Sequence, residues 1–509
     1  VVAPPWRPLV AWPSRGIGIL WSLGAAVLVV WAATLPHHNP YGGDARPYPV
    51  HLDEYWHWGK AKAIAEQGTL AGIDPFSGAH EPPFTIATMK ERGFHAYMAA
   101  FELVSGLDWM TLVTWEPVGV AVLLAAATWL FAERWHAAPA ALLFVAAIPT
   151  TLRFLGYGYF VPVGFALPLL VVGLHFLLRW QEGASAWPFV AVTLGLWPIH
   201  PMPAGLLAAC ALVAAALRLR ERPVASLLLA AFIVATALVT WPIYRGYILH
   251  GLAPALLPPS LDLLKLYSFP ALWFAALGVV SLLAARSVLD RRTGITLGAA
   301  SLALEAVLLY RNVTGNDPFV LYDRSFVSLA LLSALVGAVG LAWLARPLAR
   351  DAQLAARPAL RAGVLALVLL APLGASQASW VEQSKEPTYQ ALAPNEVQTY
   401  EALIGHVDVV HGRAVVDGIS DLPFSDITGL HQYSPRIPSQ GSTTPELEQF
   451  FRFGANDTAF LLGHGISIVV TRREVRNPDL HALEPGIYEL NATLLERMGV
   501  TPTTPLQST

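Results

Sequence analysis

The chain has 509 residues, of which 55% are hydrophobic and only 13% charged, with a mean hydropathy of +0.50. A soluble protein is typically about 25% charged, so this composition excludes a soluble globular fold and points to a polytopic membrane protein. The net charge of −3 gives no footprint for nucleic acid, no P-loop or dinucleotide fingerprint appears, and the single cysteine, Cys210, excludes an intrachain disulfide.

The first apolar run, Gly16 to Leu35, is long enough to cross a bilayer and carries no small-residue cleavage site, so it reads as a retained span. Arg7 and Arg15 precede it, which places the N-terminus in the cytoplasm. Residues 36–93 then form a long first outer loop, too polar to span. Its pattern predicts a helix from Leu52 to Gln67, closed by Gly68 as a C-terminal cap, followed by a Gly/Pro-rich turn around Asp74-Pro75. Phe94 to Leu107 is predicted as a short amphipathic helix lying partly in the membrane interface.

Further spans are predicted at Pro117 to Ala132, Ala138 to Leu152, Phe160 to Leu178, Ala186 to Trp197, Ala204 to Leu217 and Val224 to Tyr244. Phe269 to Ala285, Gly294 to Tyr310, Phe326 to Ala345 and Ala359 to Ala375 complete the set, giving about eleven transmembrane helices. Arginine tests the alternation. Arg134, Arg179, Arg218, Arg222, Arg291, Arg292 and Arg346 fall in turns predicted inside, whereas the later outer loops hold only Arg153, Arg245, Lys265, Arg311 and Arg324. An odd number of spans puts the C-terminus outside. Residues 1–375 therefore read as the transmembrane domain and 376–509, richer in charge, Asn, Thr and Pro, as a soluble extracytoplasmic α/β domain.

The chemistry concentrates in His51-Leu52-Asp53-Glu54-Tyr55-Trp56-His57-Trp58-Gly59-Lys60, just beyond the first span. On a helix, Asp53, His57 and Lys60 share one face. One reading has the two acids complementing the positive end of a helix dipole and the aromatics forming an interfacial belt. The other has a carboxylate acting as a base at the water boundary, with Asp53 first and Glu54 second in line. Asp53, Glu54 and His57, joined by His51, are also chemically competent to hold a divalent cation, Mg or Mn. The two-histidine pattern of a metalloprotease helix is absent.

A phosphate would need positive partners, which are scarce on the outer face: Arg324, Arg153, Arg245 and Lys60 are the candidates, with snorkelling from a helix end as the alternative for the arginines. His200, between Pro198 and Pro201, either lines a site or marks a loop. Trp58, with Trp56, Trp109, Tyr157 and Tyr159, would stack on a sugar or anchor the interface. Glu305 lies deep in a predicted span, where charge is expensive. Asp74 reads as a turn residue before Pro75.

Cytoplasmic N-terminus, one span, a long acidic first loop, many further spans and an outer C-terminal domain together resemble the GT-C superfamily of polyprenyl-phosphate-dependent glycosyltransferases, which includes the oligosaccharyltransferase catalytic subunit and the protein O-mannosyltransferases. His51 to His57 looks like that superfamily's first-loop acidic motif, followed by the helix ending at Gly68 and by Asp74-Pro75. Gly93-Phe94-His95-Ala96-Tyr97, Ile199-His200-Pro201 and Tyr322-Asp323-Arg324 occupy places where relatives carry a helix start, a histidine after a span and an arginine at the outer end of a late span. The resemblance implies inverting transfer of a sugar from a polyprenyl-phosphate donor to a glycan, lipid or protein acceptor, with Asp53 as base. Two features depart from the oligosaccharyltransferase pattern: Thr150 to Tyr159 holds no carboxylate, and the Trp-Trp-Asp-Tyr-Gly signature is missing. Both favour transfer of a single sugar, or an acceptor other than asparagine. The rival readings are a transporter or lipid flippase and a non-catalytic subunit of a glycan-assembly complex.

Overall fold

In lipid every backbone N–H and C=O must be satisfied within its own segment, so the uncharged apolar runs become helices. The computed structural model describes residues 15–34, 49, 51–81, 91–148, 156–251, 270–314, 322–350, 394–401, 403–404, 413–417, 421–433 and 445–500. Its helices begin, in chain order, with α1 (Arg15–Thr34), α2 (Leu52–Gln67), α3 (Arg92–Ser105), α4 (Trp109–Ala132), α5 (Ala138–Ala146) and α6 (Pro162–Gln181). They continue with α7 (Trp187–Ile199), α8 (Pro201–Arg218), α9 (Pro223–Gly251), α10 (Pro270–Leu283), α11 (Val288–Thr314) and α12 (Tyr322–Arg350).

Among the described residues, six helices are long and apolar enough to cross a membrane: Trp109–Trp135, Pro162–Gln181, Pro201–Arg218, Pro223–Pro242, Val288–Thr314 and Ser325–Leu344. Ile19–Thr34, Trp187–Ile199 and Ala271–Leu283 are apolar but shorter. The predicted spans from the first to the tenth each fall on a helix, although α5 has only 9 residues and is capped at Ala147; residues 149–152 of its predicted span, like the last span at Ala359 to Ala375, lie outside the described residues. A helix of that length reaches roughly 14 Å, about half the hydrocarbon core.

The chain divides into two compact units. The first comprises Val1–Ala45, Thr85–Phe94 and Thr114–Glu386, and the second Arg46–Phe84, His95–Val113 and Pro387–Thr509. In the first, α10 and α12 meet backbone to backbone. A Cβ on Gly337 would come 2.5 Å from the Ala271 carbonyl oxygen, and one on Gly278 or Gly340 would overlap a carbonyl of the facing helix. Small residues are what let lipid-embedded helices approach this closely, because packing rather than water exclusion holds them together. Among the arginines at span ends, Arg134 pairs with Glu182 at 2.6 Å, Arg292 with Glu221, and Arg218 donates to the Trp180 carbonyl at 2.6 Å.

The second unit is built on a five-stranded sheet, β1 (Arg413–Val416), β2 (His431–Gln432), β3 (Ile466–Val470), β4 (Leu480–Glu484) and β5 (Ile487–Leu490), in the order β2-β1-β3-β5-β4. The β-rich runs read from the sequence, Ala414 to Val416 and Ile466 to Val470, form its parallel centre. The β4–β5 hairpin completes it antiparallel. Around the sheet lie α13 (Pro394–Glu401), α14 (Asp421–Thr428), α15 (Pro445–Arg452), α16 (Thr458–His464) and α17 (Ala492–Met498). α15 turns Leu447, Phe450 and Phe451 onto Phe460, Leu461, Ile466 and Val469 to form the core. Burying each such side chain contributes about 1.5–3 kcal/mol, which holds this small module together.

The first-loop helix α2 belongs to this second unit, packed against α14. Its limits, Leu52–Gln67, and its cap at Gly68, whose φ is 64°, match the sequence expectation.

Candidate functional site

At the start of α2 the chain closes a capping box. His51 is the N-cap, its Nδ1 accepting from the Asp53 backbone N–H at 3.0 Å, while Glu54 Oε2 accepts from the His51 backbone N–H at 3.1 Å. These bonds satisfy donors that a helix start otherwise leaves orphaned. Glu54, the second choice as base, is fully buried in this cap, and His51, a candidate for substrate contact, is its other half. Asp53 remains half-buried in the first turn, where a carboxylate is also favoured by the helix dipole.

One turn further on, His57 is buried and its Nδ1 lies 2.8 Å from His95 Nε2 on α3. His95 carried no role in the sequence reading, because nothing in the spacing of residues 57 and 95 announces the pairing. Trp58 is also buried, its ring 5.8 Å from that of Tyr55. It is a packing residue rather than an open platform for a sugar. Tyr157 and Tyr159 in the first unit are buried too and offer none either.

Lys60 ends the cluster between two carboxylates. Its Nζ donates to Asp74 Oδ1 at 2.8 Å and to Glu81, and sits 4.5 Å from the Trp56 ring centroid. Its charge is therefore matched within the loop and is not offered to a lipid phosphate. Asp74 does the turn work expected of it: it also accepts from the Phe76 backbone N–H and, at 2.7 Å, from Ser77 Oγ. Burial pushes the Asp74 carboxyl up, but the Lys60 ammonium and these donors outweigh it and hold the group below the usual carboxylate range.

The turn is stitched to the C-terminal sheet: the Gln432 backbone N–H donates to the Phe76 carbonyl at 2.6 Å, and His431 Nδ1 lies 3.1 Å from the Pro75 carbonyl. Phe76 stacks on Trp56 at 5.0 Å. Asp426 of α14 faces Gly59 of α2, where a Cβ would overlap Asp426 Oδ1 and come 2.7 Å from Phe76 Cζ.

In the first unit, His200 caps α8, its Nδ1 accepting from the Met202 backbone N–H at 3.3 Å, with Nε2 3.9 Å from Glu91 Oε1. Arg245 is exposed on α9. The backbone of Tyr322 and Arg324 forms the first turn of α12, their side chains lying outside the described residues, as does Arg153 altogether. Glu305 is half-buried on α11. Asn491 caps α17, and Asn312 donates to the Leu308 carbonyl within α11.

The metal reading does not fit these positions. Among the described residues no three His, Cys, Asp or Glu side chains gather as ligands. Glu54 is turned to the helix cap and His57 to His95, so the expected set of Asp53, Glu54 and His57 is not assembled around a cation.

No protein-family model matches the chain, and no curated protein matches it by sequence. Solved structures do match. The Archaeoglobus fulgidus oligosaccharyltransferase in its apo form is 13% identical over 91% of this chain and 70% of that one, with a TM-score of 0.58. The AglB oligosaccharyltransferase of the same organism, in complex with an inhibitory peptide and a dolichol-phosphate, is 12% identical over 88% and 69%, with a TM-score of 0.52. ArnT from Cupriavidus metallidurans is 14% identical over 94% of this chain and 99% of that one, with a TM-score of 0.54. A further Archaeoglobus structure holds Zn and sulfate. With its apolar helices and a small C-terminal sheet, this chain is an integral membrane protein with the fold of the GT-C glycosyltransferases.

Proposed function

We propose that the protein is an integral membrane glycosyltransferase that moves a sugar, with inversion, from a polyprenyl-phosphate donor to an acceptor on the extracytoplasmic face. The observation that carries this reading is the fold likeness along nearly the whole chain to glycosyltransferases, one of them solved with a dolichol-phosphate. Asp53 is the base. It accepts the proton of the acceptor hydroxyl as the acceptor oxygen bonds to the sugar's anomeric carbon, and the bond from that carbon to the phosphate oxygen breaks, leaving polyprenyl phosphate. Asp53 is chosen over Glu54 because the Glu54 carboxylate is fully buried and closes the capping box, whereas Asp53 is only half-buried.

Arg324, Arg153 and Arg245 are the candidates to hold the departing phosphate, where a guanidinium fork matches two phosphate oxygens. The N-terminus is cytoplasmic and residues 376–509 are extracytoplasmic in this reading. The test is to reconstitute the full chain in liposomes with extracted lipid-linked sugars and a labelled donor. Label appearing on a hydroxyl acceptor together with free polyprenyl phosphate supports a transferase. Label that only crosses the bilayer, still joined to lipid, overturns it in favour of a flippase.

A further inference from the structure

The α2–α14 contact has an unusual composition for a seat between two helices. Asp426 is 9% exposed, and its Oδ2 is buried without a hydrogen-bond partner among the described residues. The backbone of α2 comes close to that carboxyl only because residue 59 is glycine. An ionised carboxylate left this way is strongly disfavoured, since no hydrogen bond among the described residues replaces the water its Oδ2 has lost.

Two ammonium groups on α2 lie near enough to act on the site, yet neither bonds to Asp426. Lys60 is held by Asp74 and Glu81, and Lys62 reaches toward Glu66 at 3.9 Å. From the turn, the Asp74 carboxylate adds a repulsive charge. Among the described residues, the other elements packed on α14 bring no cation to Asp426: α13 contributes Tyr400, edge-on to Phe424, and the exposed Glu401, while the His431 ring of β2 is engaged with the Pro75 carbonyl.

We propose that the Asp426 carboxyl is a proton-operated latch, which seats α14 on the Gly59 gap of α2 in its neutral form and releases that seat when it ionises. Burial, together with the Asp74 charge and against the pull of Lys62 and Lys60, raises this group well above the usual carboxylate value. The sign follows from linkage. The seated state keeps a proton that the released state gives up above about pH 4, so seating is strongest at low pH. It weakens as pH rises toward the seated-state value, by about tenfold in the equilibrium for each pH unit. Because α2 carries Asp53 and His57, the latch ties the position of the candidate base to pH. The claim concerns packing alone and stands whether or not the protein transfers sugar.

Hydrogen exchange of the α2 amides in the full chain, in detergent and corrected for intrinsic exchange rates, tests it between about pH 5 and about pH 8. The wild type should lose at least about tenfold in protection of α2 across that range. Asp426→Asn, neutral at every pH and of the same shape, should keep its protection throughout. Gly59→Ala, whose methyl displaces the carboxyl, should be poorly protected at every pH. A wild type with flat protection overturns the proposal by itself. So does an Asn variant that shows the wild-type slope, or one that does not fold, because an amide should be tolerated wherever a neutral carboxyl is.

Discussion

His57 Nδ1 and His95 Nε2 lie 2.8 Å apart, both rings buried, one on the first-loop helix and the other on α3. At this distance one imidazole donates its N–H and the other accepts it. It joins two segments separated by 38 residues in sequence. His57→Ala and His95→Ala should each destabilise the chain by about 1–3 kcal/mol. The double variant should cost less than their sum by at least about 0.5 kcal/mol. Chemical denaturation of the four proteins measures this coupling; additivity would mean that the pair contributes nothing as a pair.

The Lys60–Asp74–Glu81 cluster sets an acid limit on the first loop. Asp74 is held below its ordinary value of 3.8, so its contribution to stability is complete above that value and is lost as pH falls below it. Lys60→Met should leave two carboxylates without their cation and destabilise the loop by about 1–3 kcal/mol at neutral pH. The penalty should shrink on acidification as the Asp74 carboxylate becomes neutral. Tryptophan fluorescence through an acid titration follows it, because Trp56 lies beside the cluster. A penalty that does not depend on pH would contradict the assignment.

Gly340→Ala should disrupt the crossing of α10 and α12, since the added methyl would overlap the Phe274 carbonyl. Overpacking of this kind costs about 1–3 kcal/mol, read as a lower melting temperature in detergent. Gly119→Ala, on α4 with open space around the position, is the control and should melt like the wild type or slightly above it.

Glu54→Gln should preserve the capping box, because the amide oxygen still accepts from the His51 N–H. Glu54→Ala should lose about 1 kcal/mol or more. Equal stability of the two variants would show that the cap is not what Glu54 contributes.

How much of this was legible in the sequence depended on the range of the interaction. The limits of α2 and its Gly68 cap are local properties of a short window, and the sequence predicted them to the residue. Apolar length likewise announced the long apolar helices of the first unit. The site was harder to read because local pattern does not say which polar group a side chain will meet. Asp53 and Glu54 are adjacent and chemically alike, yet one lies half-buried and the other closes a helix cap. Lys60 looked like a phosphate ligand until the turn at Asp74 and Glu81 folded onto it. Asp426 gave no signal at all, since its significance comes from Gly59, a contact made only by the fold.

The assignment of Asp53 as the base is tested most directly by the rate of sugar transfer from a polyprenyl-phosphate donor by reconstituted Asp53→Asn, beside wild type and Glu54→Gln. Asp53→Asn should retain its fold and its donor binding but lose about 10²–10⁴ in turnover, while Glu54→Gln stays close to wild type. Wild-type turnover in Asp53→Asn would contradict the account.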